Sequence, residues 1–342
     1  MSGRACVVVL NWNGRDYIRD CVRSALAQTY PDFRVIVVDN GSPDRSGEIV
    51  RDEFPEATYL PLSENLHFAR GSNAGIEVAL RDSDCSFVVT LNNDTRVDPD
   101  WLTELVRPAT EPHVGIVASK LVFMDRPNVI NSAGICIARD GSGLDRGWNA
   151  RDGGPFDEPA DVFGASAGAA LYRREVFEEV GLFDADFVAY YEDLDLAWRA
   201  RLAGWEARYA PGSVVHHKYS ASSAPRSPWK TYQGERNRIW NLAQNYPWRH
   251  VATGIPWNAA RLGIALARRL GPHPHPIDPS APDAPPSVAP FLRGRIDGYA
   301  GLRRAIAKRR SRDAYRVVDA STVAGWFRTF GVGIAGMPAG GE

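Results

Sequence analysis

Three short apolar runs, each stopped by asparagine or aspartate, constrain this chain more than any other feature. Residues 5–10 read ACVVVL and end at Asn11, Phe33 to Val38 run into Asp39-Asn40-Gly41-Ser42, and Phe87 to Leu91 end in Asn92-Asn93-Asp94-Thr95. A run of five or six residues without polar alternation suits a strand buried on both faces, and such strands belong to parallel sheets covered by helices. Between the first two runs, Asp16 to Gln28 places Ile18, Val22, Ala25 and Leu26 on one side of a helix. Strand, helix, strand at this spacing is a βαβ unit with a parallel pair. Thr58 to Leu62 reads as a further strand, and ENLHFARGSNAGI, residues 64–76, opens a second helix that continues through Leu80. The expected class is α/β.

Open parallel sheets bind ligands beyond the carboxyl ends of their strands, so the polar stops form the candidate site. Asp39 either accepts a hydrogen bond from a base or ribose or organises an Asx turn. Asp94, flanked by carboxamides, offers oxygen chemistry to a hard cation such as Mg²⁺ or Mn²⁺, and the same residues equally make an ordinary turn after a strand. Gly71 and Gly75 permit close backbone approach, with Asn65, Arg70 and Asn73 as donors to a phosphate or base. The segment has neither the GK[ST] ending of a P-loop nor the GxGxxG spacing of a dinucleotide fold.

Farther on, Val114 to Ala118 and Val129 to Ile137 read as strands, with Gly-rich turns over 140–154 of the kind that receive an acceptor. Phe163 to Tyr172 is a strand of small residues. Residues 184–204, DADFVAYYEDLDLAWRARLAG, then place Glu192, Asp193 and Asp195 in the first turn of a helix whose buried stripe is Leu194, Ala197, Trp198, Arg201, Leu202 and Trp205. Any one of these acids suits a helix start by capping it or complementing its dipole. Three within four residues, after Tyr190 and Tyr191, point to a general base acting on a hydroxyl. Ala207 to His217 is a strand ending in His216-His217-Lys218, where an imidazole either completes a metal site with Asp94 or is an ordinary surface residue.

Residues 1–225 carry 22 Lys/Arg against 34 Asp/Glu, and residues 226–342 carry 18 against 7. The expected division is therefore a catalytic domain over 1–225 and a helical, basic region over 226–342. Helices are expected at Trp229 to Asn245, Trp257 to Leu270 and Leu292 to Arg316, with a proline-rich linker at 271–290. A basic helix carrying Trp and Leu can lie on an anionic membrane surface. Cys6, Cys21, Cys85 and Cys136 lack CxxC spacing, which argues for reduced thiols. No apolar stretch reaches a membrane span, so the expected location is the cytoplasm, peripheral on the inner face of the membrane, without a nucleic-acid partner.

The ordered set VVVLNWNG, VIVVDNGSPD, ENLHFARGSNAGI, LNNDT, GAALYRREVFEEVGLFD, YYEDLDLAWRARLAGW and PGSVVHHKYSASS resembles the family 2 glycosyltransferases with the GT-A fold, specifically the bacterial rhamnosyltransferase-like branch, over residues 5–245. The resemblance implies a mostly parallel sheet flanked by helices. It also implies inverting transfer of a rhamnose-like or other hexose from a nucleotide diphosphate sugar to a glycan or lipid-linked acceptor, aided by a divalent metal. By the same resemblance Asn11, Asp39, Asn65, Asn73, Asn92, Asn93 and Asp94 are expected on the nucleotide side. Asp94 and His217 are the expected metal ligands, with His216 as the alternative, and Asp193 is the base with Glu192 beside it. Asn92 stands where the first Asp of DxD is usual, which directs it to the ribose, and His67 stands where a Gly is usual. Gln233 and Arg236 are present but Asn237 replaces the Trp of QxxRW, which favours single additions over polymer synthesis. The competing readings are a sugar nucleotidyltransferase and a non-catalytic nucleotide-sugar-binding protein.

Overall fold

The computed structural model describes residues 3–219, 227–270, 288–312 and 314–333. Four of the expected runs become parallel neighbours. These are β1 (Arg4–Asn11), β2 (Phe33–Asp39), β3 (Thr58–Pro61) and β4 (Cys85–Asn92), connected by helices α1 (Ile18–Leu26), α2 (Ser46–Glu53) and α3 (His67–Leu80). Val7 and Val9 point to one face and Cys6 and Val8 to the other, all fully or almost fully buried, which is why the run carries no polar alternation. After β5 (Thr95–Val97) and α4 (Trp101–Ala109) come β6 (Val114–Phe123), β7 (Arg126–Ser132), β8 (Ile135–Ile137), β9 (Gly143–Asp145), β10 (Ala160–Asp161) and β11 (Ala169–Arg173). Then follow α5 (Arg174–Val180), α6 (Glu192–Leu202) and β12 (Glu206–His217). The large sheet runs β10-β12-β6-β11-β4-β1-β2-β3, with β5 on β12 and β7 on β6. It is mixed, since β11 lies antiparallel to both β4 and β6 while β12 runs parallel to β6.

Several boundaries differ from the sequence reading for identifiable reasons. Only Ala169–Arg173 of the small-residue run is a strand; before it, the Phe163 amide and Gly164 carbonyl pair with Ile135 in an isolated bridge, while the carbonyl of Phe163 accepts from Arg201 at 2.7 Å and the amide of Ala167 donates to Asp193 at 3.2 Å. α6 is buried on nearly every side rather than amphipathic. Its charges are satisfied internally, with Arg199 bonded to Asp195 at 2.8 Å and to the carbonyls of Val180, Gly181 and Leu182. The turn after β2 leads into α2, a helix for which no expectation was drawn from the sequence.

The chain divides into two compact units, Met1–Ile135 with Asp145–Ser222, and Cys136–Leu144 with Ser223–Glu342. The second unit contains α7 (Pro228–Asn245), α8 (Trp248–Leu270), α9 (Val288–Ala300), α10 (Leu302–Arg312) and α11 (Ala320–Thr329). α8 starts nine residues earlier than the pattern indicates and carries Pro256 in its interior. The basic helix expected over Leu292 to Arg316 is interrupted at Gly301, where a Cβ would come within 2.6 Å of the Trp240 indole. Most of the proline-rich stretch, 271–287, lies outside the described residues. Inside this unit Glu235 holds Arg238, Arg261 and Arg295 at 3.0, 3.2 and 3.2 Å. Although burial opposes its charge, those three arginines bring its carboxyl down to about 2.

Candidate active site

Because β1, β2 and β4 are parallel and in register, their polar ends meet at one edge of the sheet: Asn11 lies beside Asp39, and Leu10 beside Asn92. Asn11 is fully buried and joins the three ends. Its Nδ2 donates to Ser46 Oγ at 2.8 Å and Asp39 Oδ1 at 3.2 Å, while its Oδ1 accepts from Asn93 Nδ2 at 2.9 Å. A Cβ on Gly14 would fall 2.2 Å from Asn93 Nδ2, so this approach of two carboxamides requires glycine there. Asp39 also accepts from the Tyr59 hydroxyl at 3.3 Å. The next residue, Asn40, donates to Asn65 Oδ1 at 3.0 Å and accepts from the Leu66 amide at 2.8 Å. This fixes the entry to α3, where His67 takes φ +60, the left-handed conformation for which glycine is favoured.

Asn73 is not brought to this edge as a donor. Its Nδ2 donates to the Phe183 carbonyl at 2.8 Å and its Oδ1 accepts from the Phe183 amide at 3.1 Å, so both ends of the amide hold the segment before α6. The Asn92 side chain makes no hydrogen bond among the described residues, and its backbone carbonyl accepts from Thr95 Oγ1 at 2.7 Å.

Asp94 and His217 meet where β4 and β12 end. His217 Nε2 lies 3.3 Å from Asp94 Oδ1, and its Nδ1 is 2.7 Å from Asn131 Oδ1 on β7. A carboxamide oxygen accepts only, so Nδ1 donates to Asn131 and Nε2 is the nitrogen turned to the carboxylate. Either a proton on Nε2 or a cation shared with Asp94 satisfies that pair. Among the described residues no cluster of three or more His, Cys, Asp or Glu is arranged as a metal site. A carboxylate and an oriented imidazole nevertheless fit as ligands to Mn²⁺ or Mg²⁺, whose remaining positions phosphate oxygens would fill. His216 points to the other face of β12 and pairs with Asp98 at 3.2 Å.

Asp193 is tied to the same strand end. Its Oδ2 accepts from the Ala167 amide at 3.2 Å, and the next carbonyl, Gly168, accepts from the Asn92 amide at 2.9 Å, two residues before Asp94. The loop leading into α6 is strained: Val188, Tyr190 and Tyr191 have φ +67, +67 and +75, a region that β-branched and bulky residues rarely enter. It is held by the Asn73 clamp and by the Ala69 amide donating to the Val188 carbonyl at 3.0 Å. Desolvation raises the Asp193 carboxyl above its ordinary value, against the bonds from the Ala167 and Leu194 amides, and part of the side chain remains accessible. Glu192 is buried, and its Oε2 has no hydrogen-bond partner among the described residues. Burial, then the adjacent Asp193 charge, push it well above the carboxylate range. The Tyr172 hydroxyl is likewise buried without a partner, and it is raised by burial and by both acids. Asn40, Asn131, Ala167 and Tyr172 were not singled out from sequence. Only Asn40 had a signal, its place beside Asp39.

A parallel-centred sheet with acids and amides gathered at its strand ends has its candidate site where open α/β sheets bind ligands. The family model for glycosyl transferase family 2 matches residues 6–181, just over half the chain, and the protein belongs to that family. It is 29% identical over 237 residues to the O-antigen biosynthesis protein RfbC of Myxococcus xanthus, a match covering 65% of this chain and 18% of that protein. It is 28% identical over 247 residues to the N-acetylglucosaminyl-diphospho-decaprenol L-rhamnosyltransferase of Mycobacterium tuberculosis, covering 65% and 78%. The structure of GalNAc-T7 with UDP, GalNAc and Mn²⁺ superposes with a TM-score of 0.58 at 14% identity, over 89% of this chain and 56% of that one. The fold is GT-A, as the sequence resemblance implied. Among the described residues no helix is long and apolar enough to cross a membrane.

Proposed function

We propose that this protein transfers a sugar, rhamnose or another hexose, from a nucleotide diphosphate donor to a hydroxyl of a glycan or lipid-linked acceptor, by a single displacement that inverts the anomeric centre. The observation that supports the reading is that Asp193 accepts from the Ala167 amide while the adjoining Gly168 carbonyl accepts from the Asn92 amide, so that Asp193 and the Asp94–His217 pair lie about the same strand end. Asp39, with Asn11 and Tyr59 around it, takes the nucleoside, and Asn92 is free to reach the ribose. Asp94 and His217 hold the divalent cation, which supplies charge neutralisation for the diphosphate leaving group. Asp193 removes the proton from the acceptor hydroxyl as that oxygen attacks from the face opposite the diphosphate. Its raised carboxyl makes it a better proton acceptor than an ordinary aspartate. The rhamnosyltransferase relative supports a polyprenyl diphosphate-linked sugar as acceptor. On this reading the catalytic domain is 1–225 and the helical region 226–342.

The test is incubation of the purified chain with a panel of nucleotide diphosphate sugars and Mn²⁺ or Mg²⁺, with and without a polyprenyl diphosphate-linked sugar. Release of nucleoside diphosphate that stops with chelator and increases with acceptor is expected. Formation of nucleoside triphosphate and sugar 1-phosphate when pyrophosphate is added would indicate a nucleotidyltransferase, and turnover of neither kind a binding protein. Asp94→Ala should remove the divalent-dependent turnover while retaining the fold, since a ligand at a strand end contributes little packing.

A further inference from the structure

Every large apolar side chain exposed among the described residues belongs to the second unit, and three of them fall on one stripe of α9. Leu292, Ile296 and Tyr299 follow the spacing i, i+4, i+7 and are 40%, 66% and 52% exposed. The opposite face of α9 is spoken for, since Phe291, Gly294 and Gly298 are buried, and a Cβ at Gly294 would come within 2.5 Å of the Tyr232 carbonyl on α7. The outward stripe is therefore not needed to hold the helix in place. Its surroundings are cationic. Residues 288–312 contain eight Lys/Arg and one acid, Asp297, which accepts from the Tyr232 hydroxyl at 2.8 Å. Arg295 and Arg312 are buried and Arg309 bonds the Ala243 and Tyr246 carbonyls; Arg293, 3.9 Å from Asp297, and Arg303, Arg304 and Arg310 lie at the exposed surface.

We infer that α9 and the first turn of α10 form a docking surface for an anionic lipid bilayer, with Leu292, Ile296 and Tyr299 entering the boundary between headgroups and acyl chains and Arg293, Arg303 and Arg304 facing lipid phosphates. An apolar stripe bordered by arginine is the composition of helices that lie in the interface plane, and each cation near the surface adds attraction to anionic lipid. A second copy of the chain is the poorer occupant, because pairing through this face would set arginines against arginines. A wholly polar acidic partner would leave the apolar stripe unused.

The experiment is sedimentation of the full chain with vesicles of phosphatidylcholine alone or mixed with phosphatidylglycerol, at low and high salt. The readout does not involve catalysis, so it stands or falls separately from the transfer reaction. Binding to the mixed vesicles is expected, weakened about tenfold or more by high salt. Ile296→Asp with Leu292→Asp, and separately Arg303→Glu with Arg304→Glu, should each weaken it by about tenfold or more while leaving the circular dichroism spectrum unchanged. Equal binding to both vesicle types, or Ile296→Asp with Leu292→Asp binding like the unaltered chain, overturns the inference. So does a change in the oligomeric state of lipid-free protein on these substitutions with lipid binding intact, which would make the stripe a self-contact.

Discussion

The Asp94–His217 corner and the Glu192–Asp193 turn both carry acids, but the backbone reaches them in opposite ways. At the first, two strands end in register and the side chains meet with no unusual torsion: Thr95 pairs with His217 across β5 and β12, and the Lys218 amide donates to the Asp94 carbonyl at 2.9 Å. At the second, three residues in the left-handed region deliver the acids, and the hydrogen bonds that hold this strain come from α3 and from Arg199. A pair whose geometry is set by sheet register suits a cation, which needs fixed ligands. A carboxyl set by a strained loop suits proton transfer, where position relative to a mobile acceptor decides the rate.

The comparison breaks most visibly at the base. Asp193→Asn keeps the bond from the Ala167 amide and deletes basicity, so transfer should fall about 10²–10⁴-fold with donor affinity near normal by calorimetry. On the proposed mechanism turnover requires the ionised carboxylate, so the rate of the unaltered enzyme should be lost as pH falls. Because burial raises Asp193, that loss should occur above pH ~4, where a free aspartate titrates. If Asp193→Asn kept its turnover and Glu192→Gln lost it, the base would move one residue back.

How far each region can be read from sequence follows the same division. Apolar runs ending in Asn or Asp announce both a buried strand and the residue at its edge, so Asn11, Asp39 and Asp94 were placeable from pattern alone. Adjacent histidines on a strand must point to opposite faces; the resemblance favours His217, and it is His217 that faces Asp94 while His216 faces Asp98. Asn131 was out of reach, since it comes from a stretch read as one strand to Ile137 that instead ends at Ser132, with Gly134 at φ +104. Strain leaves no composition signal either. Val188, Tyr190 and Tyr191 look like an ordinary extended segment, and Asn73 looks like a ligand donor until its clamp on Phe183 is seen. α6 was read as amphipathic because Arg199 and Asp195 pass for solvent residues, yet they pair with each other in the interior.

A sharper probe of the strand-end corner is Asn131→Leu, which removes the acceptor that fixes the His217 tautomer and leaves both ligands. Loss of such an orienting partner costs about 10–100-fold in metal affinity. The Mn²⁺ concentration for half-maximal turnover should rise by that factor, with turnover recovered at saturating metal. An unchanged metal requirement would mean that Asn131 has no part in holding the imidazole.

On the other side of the comparison, Glu192 should oppose folding at neutral pH. Its carboxyl is raised in the folded chain, so the unfolded state loses its proton first as pH rises, and stability falls over the window above the ordinary glutamate value of ~4.3. Glu192→Gln removes that liability. Its Tm at pH 7 should exceed the unaltered chain's by about 2–4 °C, and the gain should vanish toward pH 4, where both side chains are neutral. A gain independent of pH would trace to packing rather than charge.

The smallest expected effect comes from relieving the strain itself. A valine at φ +67 costs on the order of 1–3 kcal/mol, and glycine adopts that conformation freely but brings about 0.5–1 kcal/mol of extra unfolded-state entropy. Val188 is half-buried, so Val188→Gly also gives up some contact, and the net change should be a stabilisation of about 1 kcal/mol or less. Activity should move the other way. With the loop free to leave the left-handed region, Asp193 spends less time at the Ala167 amide, and kcat should drop a few-fold while KM for the donor, bound at the unstrained strand ends, stays put. A Val188→Gly enzyme with lower stability and unchanged kcat would show that the loop's torsions are incidental, and that the acidic turn is as passively placed as the cation corner.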